Sequence, residues 1–354
     1  MSTVQNKPYQ SALLFTGGGL HSGYYLGLYQ ALCEHGMCPD VVIASCGGSL
    51  VASLIACTPN SGTACELFMS RDYYEMIIQL KPTKPKHPLQ HMLPAFKRYL
   101  NFNKHKPKTH ISQKDIDELT TLALAKMDIN ALGEFFHHKD SSQTPVIITS
   151  SRLSFNNDLP NKWQTLLWSS QKTLTQNLSA LNPINPLVNY NPDTIDSHTV
   201  ITDELPISVM VRASIADMYY LPPIEYKIAD ENLLLAGGVL DLTPIELAQA
   251  LATTIYAETK ADYDTRLAEP AIYQVFGFLA NERLNDVRHI MQNSSNIHTV
   301  HTANYRKHIA PFIGKRFHWH GGLIASYPNF DDYQKIAKAQ IEYGYQQMAK
   351  LINR

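Results

Sequence analysis

Val41-Val42-Ile43-Ala44-Ser45-Cys46-Gly47-Gly48-Ser49-Leu50-Val51-Ala52 reads as a strand, a sharp turn and a helix. Val41, Val42 and Ile43 are β-branched and favour a strand. Small residues follow from Ala44 to Ser49, and then an apolar run with Leu50, Val51, Ala52, Leu54 and Ile55. This is the setting of a nucleophile elbow, where the tip of a strained strand-to-helix turn is exposed. The common elbow is Gly-x-Ser-x-Gly, and here the five positions are Ala44, Ser45, Cys46, Gly47 and Gly48. Small residues two before and two after the tip avoid a clash across the turn. A frame with Ser49 at the tip would put the bulky Val51 two residues on, so Cys46 is the better tip.

Upstream, residues 11–16 (Ser-Ala-Leu-Leu-Phe-Thr) read as a buried strand that runs into Gly17, Gly18 and Gly19. Residues 24–35 then have helical spacing, with Leu26, Leu28, Tyr29 and Leu32. A glycine-rich loop between strand and helix presents backbone N–H groups and favours an anion. The glycines do not follow Gly-x-Gly-x-x-Gly, and no acidic residue ends the next strand, so a dinucleotide loop is disfavoured. An oxyanion hole for the elbow is the better account. Two strand–helix units in 57 residues predict a parallel α/β sheet.

With 354 residues and a net charge of −1, the chain can build a core without disulfide or metal support. Its five cysteines, Cys33, Cys38, Cys46, Cys57 and Cys65, are odd in number and contain no Cys-x-x-Cys pair. That pattern argues against a disulfide framework and a zinc site, and predicts free thiols in a reducing compartment. No metal or cofactor is expected. Residues 1–10 do not read as a signal peptide, and no run reaches a membrane span of about 18 apolar residues. A soluble cytoplasmic protein is expected.

At this point the chain resembles the patatin-like phospholipases, a family of lipid acyl hydrolases. The family opens with Gly-Gly-Gly-x-(Arg or Lys)-Gly, followed by the elbow. Gly17, Gly18, Gly19 and the later Gly27 fit, while His21 and Ser22 replace the basic residue and the next glycine. Ala213, Ser214, Ala216, Pro222 and Pro223 fit a second family stretch, with Met218 where a proline is usual. Ala236-Gly237-Gly238 with Pro244 stands where the family has Asp-Gly-Gly-x-x-x-Asn-x-Pro, with Leu242 for the Asn. Gly344-Tyr345, in a helix read over 333–352, is similar to the family's closing helix.

The resemblance implies a single domain with a three-layer α/β/α fold, a central mostly parallel sheet and a variable helical cap. The parts are 11–58 (glycine loop and elbow), 59–132 (basic cap) and 133–354 (the rest of the sheet, the degenerate turn and the last helix). Strands are expected at 145–151, 233–235 and 272–279, a helix from 207, and loop with short helices over 156–197. Residues 81–110 hold eight Lys and Arg and no acidic residue, with Leu89, Met92, Leu93, Phe96 and Leu100 roughly on one helical face that Pro94 kinks or begins. They read as a surface for anionic membrane or as a solvated loop with a packed helix. No nucleic-acid partner is implied.

In the family a serine attacks the acyl ester and the Asp of the Asp-Gly-Gly turn is the base. Here those positions hold Cys46 and Ala236, and alanine cannot take a proton. A thiol is more nucleophilic than a hydroxyl, and a helix N-terminus is expected to lower its pKa. His21 is either a partner for Cys46 or a surface or packing histidine. Asp230 and Asp241 flank the lost acid and read as structural or solvated. Gly17, Gly18, Gly19 and the N–H of Gly47 are the expected oxyanion donors. Two functions follow: hydrolysis of a fatty acyl ester or phospholipid through Cys46, or lipid binding or scaffolding by a silent relative.

Overall fold

The computed structural model describes residues 7–82, 88–102, 108–122, 125–136, 144–156, 159–180, 190–217, 221–228, 231–302, 304–305, 315–318, 322–325 and 329–353. Nine strands form the central sheet: β1 (Tyr9–Thr16), β2 (Val41–Ser45), β3 (Val146–Asn156), β4 (Leu159–Ser169), β5 (Val200–Thr202), β6 (Ile224–Ile228), β7 (Glu231–Ala236), β8 (Ala252–Glu258) and β9 (Ile297–Val300). Their order is β9-β8-β1-β2-β3-β4-β5, parallel from β9 to β3. β3 and β4 form an antiparallel hairpin along their full length. The sheet is thus mostly parallel and is flanked by helices.

The pairing of β3 positions the site. β2 lies along β3 from Val146 to Thr149 and stops. β7 takes up the same edge from Ser151, paired with Ala236, to Ser154, paired with Leu233. β4 occupies the opposite edge throughout. The C-terminal ends of β2 and β7 therefore meet head to head, and the 236–238 turn arrives at the elbow from the far side of the sequence.

Val41, Val42 and Ile43 are fully buried, between separate apolar clusters on the two faces of the sheet. Each contributes roughly 1.5–3 kcal/mol by burial, enough to hold a strained residue at the strand's end. Helix α1 (Tyr24–Glu34) packs on α5 (Phe330–Ile352) at backbone distance. A Cβ at Gly27 would overlap the Ile341 carbonyl, and one at Gly344 would overlap that of Tyr24. This close crossing is the use of the two glycines.

Three expectations are corrected. Residues 272–279 are not a strand: Ala268–Phe276 is a helix, with Pro270 in its first turn and Gly277 closing it at φ 77°. The 156–197 segment contains the long strand β4, whose Trp163 is fully buried. Cys33 and Cys38 are not free thiols but form a disulfide, because the chain reverses at Gly36 (φ 74°) just after α1.

In the cap, helix α3 (Pro88–Phe102) starts at Pro88 and continues through Pro94. Asp230 and Met218 lie outside the described residues. No helix among the described residues is long and apolar enough to cross a membrane.

Candidate functional site

Cys46 joins β2 to helix α2 (Gly47–Ala56) with φ 48° and ψ −131°. Among the described residues it alone has a positive φ without being glycine. Such a conformation costs of order 1–3 kcal/mol and persists only where the surroundings impose it. Here they do. The Cys46 N–H donates to Ser214 Oγ at 2.9 Å, and Ser214 Oγ donates to the Thr149 carbonyl at 2.7 Å. The Cys46 carbonyl accepts from Ser49 N at 3.0 Å and Ser49 Oγ at 2.6 Å. Ser45 Oγ donates to the Leu242 carbonyl at 2.5 Å, tying the elbow to the degenerate turn.

The glycine loop lies directly against this turn. Gly17, Gly18 and Gly19 all have positive φ (66°, 98° and 54°). The Gly17 N–H donates to the Ser45 carbonyl at 3.2 Å. A Cβ on Gly47 would overlap the backbone N of Gly19 and come within 2.6 Å of its carbonyl oxygen. Gly18 and Gly19 are exposed. The loop and the N-terminus of α2 thus share one corner of the molecule.

Ala236, buried at the end of β7, begins the turn that abuts this corner. A Cβ on Gly238 would come within 3.1 Å of Ser45 Cβ, and the Gly237 N–H donates to the Ala216 carbonyl at 2.9 Å. The residue after Ala216 is Asp217, and its Oδ2 stands 3.9 Å from Cys46 Sγ as the thiol's acceptor. A carboxyl group thus reaches the thiol from the adjoining segment, just after α4 (Ile207–Ser214). Sequence reasoning passed over it. Its signal was a lone carboxylate in the apolar run Ile215-Ala216-Asp217-Met218, inside the matched Ala-Ser stretch.

His21 closes a 3₁₀ turn and faces Tyr305, whose hydroxyl donates to the His21 carbonyl at 2.5 Å. The Cys46 thiol faces Asp217. Asp241 has a structural setting: it is buried and paired with Arg283 at 3.0 Å, which also binds Glu246. Burial raises its carboxyl to about 6 against the pull of Arg283.

The thiol is not lowered as the helix N-terminus had suggested. Burial first, and the charge of Asp217 second, push Cys46 up to about 12, while the Gly47 N–H and Lys260 oppose them. At rest it is a neutral thiol beside a carboxylate.

Beneath the loop lies a buried polar cluster. Glu258, at the end of β8, accepts from Lys260, Tyr24 and Tyr25, and from Thr302 Oγ1 at 2.6 Å. Lys260 Nζ also donates to Tyr25 Oη at 2.9 Å. Tyr25 Oη accepts from the Thr16 N–H at 2.8 Å, so the cluster fixes the root of the glycine loop.

A strand-to-helix turn bearing a thiol, a glycine loop against it and a carboxyl group in reach share one corner of this α/β domain. The model of the patatin-like phospholipases matches residues 13–248, and the chain belongs to that family. A search of the curated proteins found no match. Among solved structures, the chain is similar to VipD from Legionella pneumophila, with 13% identity and a TM-score of 0.36, over 100% of this chain and 69% of that one. It is also similar to a chain in the complex of SpcU with ExoU from the type III secretion system of Pseudomonas aeruginosa, with 12% identity and a TM-score of 0.34, over 98% and 52%.

Proposed function

We propose that this protein is a cysteine-dependent lipid acyl hydrolase whose dyad is Cys46 and Asp217. The observation that carries the reading is the 3.9 Å approach of Asp217 Oδ2 to the sulfur of a strained elbow residue. Asp217 accepts the thiol proton as Sγ attacks the acyl carbonyl, since a neutral thiol needs a base at the moment of attack. The oxyanion is met by the N–H of Gly47 and those of the loop at Gly18 and Gly19, since the Gly17 N–H, expected among these donors, is given to the Ser45 carbonyl. The C–O bond breaks, Asp217 returns the proton to the leaving alkoxide, and water then cleaves the acyl-thioester. His21 has no part in this scheme.

Fatty acyl esters and phospholipids are the substrates that family membership supports. Helix α3 is the contact with an anionic membrane. Phe96 and Leu100, one turn apart, are 61% and 43% exposed, next to the exposed Lys97. Not all of the positive charge serves this face: Arg98 is buried and Lys108 is paired with Asp115 at 2.7 Å. A cytoplasmic setting is proposed.

A second reading, a silent lipid-binding relative, is favoured by the thiol held up at about 12. Hydrolysis of p-nitrophenyl butyrate by the wild type and Cys46→Ala separates the two. Activity lost in Cys46→Ala supports the hydrolase, and equal background rates support the silent relative.

A further inference from the structure

Arg212 lies in α4 and is only 2% exposed. A buried guanidinium is ordinarily paired with a carboxylate. Among the described residues no carboxylate pairs with this one, and burial works against its charge. Its donors go to two backbone carbonyls instead, Nε to Met127 at 3.2 Å and Nη2 to Pro222 at 3.0 Å. Nη1 is buried and meets no protein acceptor among the described residues. Burying an uncompensated charge is costly, and an apolar side chain of similar volume often packs as well or better. The arrangement therefore calls for a use other than packing.

That use lies in the stretch between Arg212 and the Pro222 carbonyl it holds. Asp217 is in this stretch, half-buried. Before it, the Ala216 N–H donates to the Ala213 carbonyl at 2.9 Å, and the Ala216 carbonyl accepts from the Gly237 N–H at 2.9 Å. After it, the Leu221 N–H donates to the Asp217 carbonyl at 3.3 Å. The next residue is Pro222, so the Arg212 side chain closes a loop with Asp217 inside it. The helix at the base of this loop is fixed to the elbow, because Ser214 Oγ accepts from the Cys46 N–H at 2.9 Å. Met127, the other acceptor, follows the short cap strand Ala125–Lys126, so the same guanidinium ties the cap to the loop.

We propose that Arg212 is a positioning residue: it holds the segment around Asp217 so that the carboxylate stays within reach of the Cys46 thiol. It touches neither reacting group itself. Two carbonyls that arrive from different segments need a planar, forked donor, which a lysine with one donating centre does not offer. The catalytic consequence rests on the Cys46–Asp217 reading above, whereas the placement of Asp217 by Arg212 does not.

The test reads the thiol directly. The Asp217 charge disfavours the thiolate, so an Asp217 that is no longer held should leave Cys46 more reactive. Alkylation of Cys46 by iodoacetamide at neutral pH, read by mass spectrometry, is compared in wild type, Arg212→Met, Asp217→Asn and the double variant. Arg212→Met should react at least about threefold faster than wild type, and the double variant no faster than Asp217→Asn alone. Unfolding would also expose the thiol, so the buried Cys65 is followed in the same digest and must stay slow. Arg212→Lys, which keeps the charge and one donor, carries the test if Arg212→Met does not fold: it should give a smaller rise, again absent with Asp217→Asn. Alkylation unchanged by either substitution, or raised equally with and without Asp217, overturns the proposal. On p-nitrophenyl butyrate, Arg212→Met should lower kcat by roughly tenfold or more with KM little changed. A wild type that does not hydrolyse the ester, or hydrolysis that survives Cys46→Ala, removes the hydrolase reading, and the alkylation comparison still decides on Arg212.

Discussion

The Asp217 carboxylate approaches the Cys46 sulfur to 3.9 Å across 171 residues of sequence, on a segment hydrogen-bonded to the turn that lost its acid. Gly237 N–H to Ala216 carbonyl is that bond, so positions 217 and 236 border the same elbow. If Asp217 is the base, Asp217→Asn should lower Cys46-dependent ester hydrolysis by roughly a hundredfold or more. The double variant Asp217→Asn with Ala236→Asp should recover part of it. Initial rates on p-nitrophenyl butyrate measure both. Full activity in Asp217→Asn would exclude the carboxylate from the chemistry.

The thiol at about 12 has a direct consequence for its reactivity. Only the thiolate alkylates, so its fraction should rise about tenfold per pH unit until the pH reaches the pKa. Iodoacetamide should therefore modify Cys46 slowly at neutral pH, at a rate that climbs without a plateau to at least pH 10. Asp217→Asn removes the carboxylate charge, the second cause of the rise, and should make the thiol react faster at neutral pH. Mass spectrometry of the Cys46 peptide over a pH series reads this out. A plateau near pH 7 would mean that the site lowers the thiol after all.

How much of this was legible beforehand depends on the range of the interactions. The elbow and the glycine loop are local codes: strand propensity, small residues and a helix follow within a dozen positions, so Cys46 and Gly17 to Gly19 stand out. Asp217 has no local signature. Its role arises because β7 takes over the β3 edge where β2 stops, which brings residues near 150, 216 and 237 together. The same limit explains the misread 272–279 run. A short apolar stretch suits a strand or a buried helix equally, and Pro270 with Gly277 decides for a helix. In β4, Pro160 and Asn161 suggested loop, but pairing with β3 prevails. The expected low thiol pKa failed because the dipole argument omitted burial and the carboxylate.

Gly47 and Gly19 should respond differently to alanine. At Gly47 the added methyl overlaps Gly19 backbone, which cannot yield without moving the loop. At Gly19 nothing lies within 4 Å of it, and only the φ of 54° is strained. Gly19→Ala should thus cost about 1–2 kcal/mol, whereas Gly47→Ala should cost more and distort the site. Urea denaturation of both variants checks the order, and a Gly47→Ala protein as stable as Gly19→Ala would contradict the contact.

Glu258 links the loop to pH. Burial works against its charge, but Lys260, Thr302 and Tyr24 outweigh this and hold the carboxyl below its usual value. A lowered folded pKa stabilises the protein above the unfolded value of about 4.3, and that contribution fades as pH falls through the folded pKa. Glu258→Gln leaves Lys260 unpaired and should cost about 3–5 kcal/mol near neutrality. The deficit should shrink on acidification from pH 5 to pH 3. Urea midpoints over that interval test this, and a deficit independent of pH would place the effect in packing instead of charge.

The last expectation concerns Phe96 and Leu100. Large apolar side chains exposed one helical turn apart beside Lys97 suit insertion at an anionic lipid surface. Each lysine near such a surface adds about 1 kcal/mol, screened within a Debye length. The wild type should co-sediment with phosphatidylserine vesicles at low salt and be released at high salt. Phe96→Ser with Leu100→Ser should weaken binding by roughly tenfold, since two partly inserted side chains together forfeit on the order of 1.4 kcal/mol or more. Both positions are exposed, so the substitutions should leave folding intact, and hydrolysis of a soluble short-chain ester should match the wild type. Equal binding to neutral and anionic vesicles, or binding unaffected by the double substitution, would count against α3 as the membrane contact.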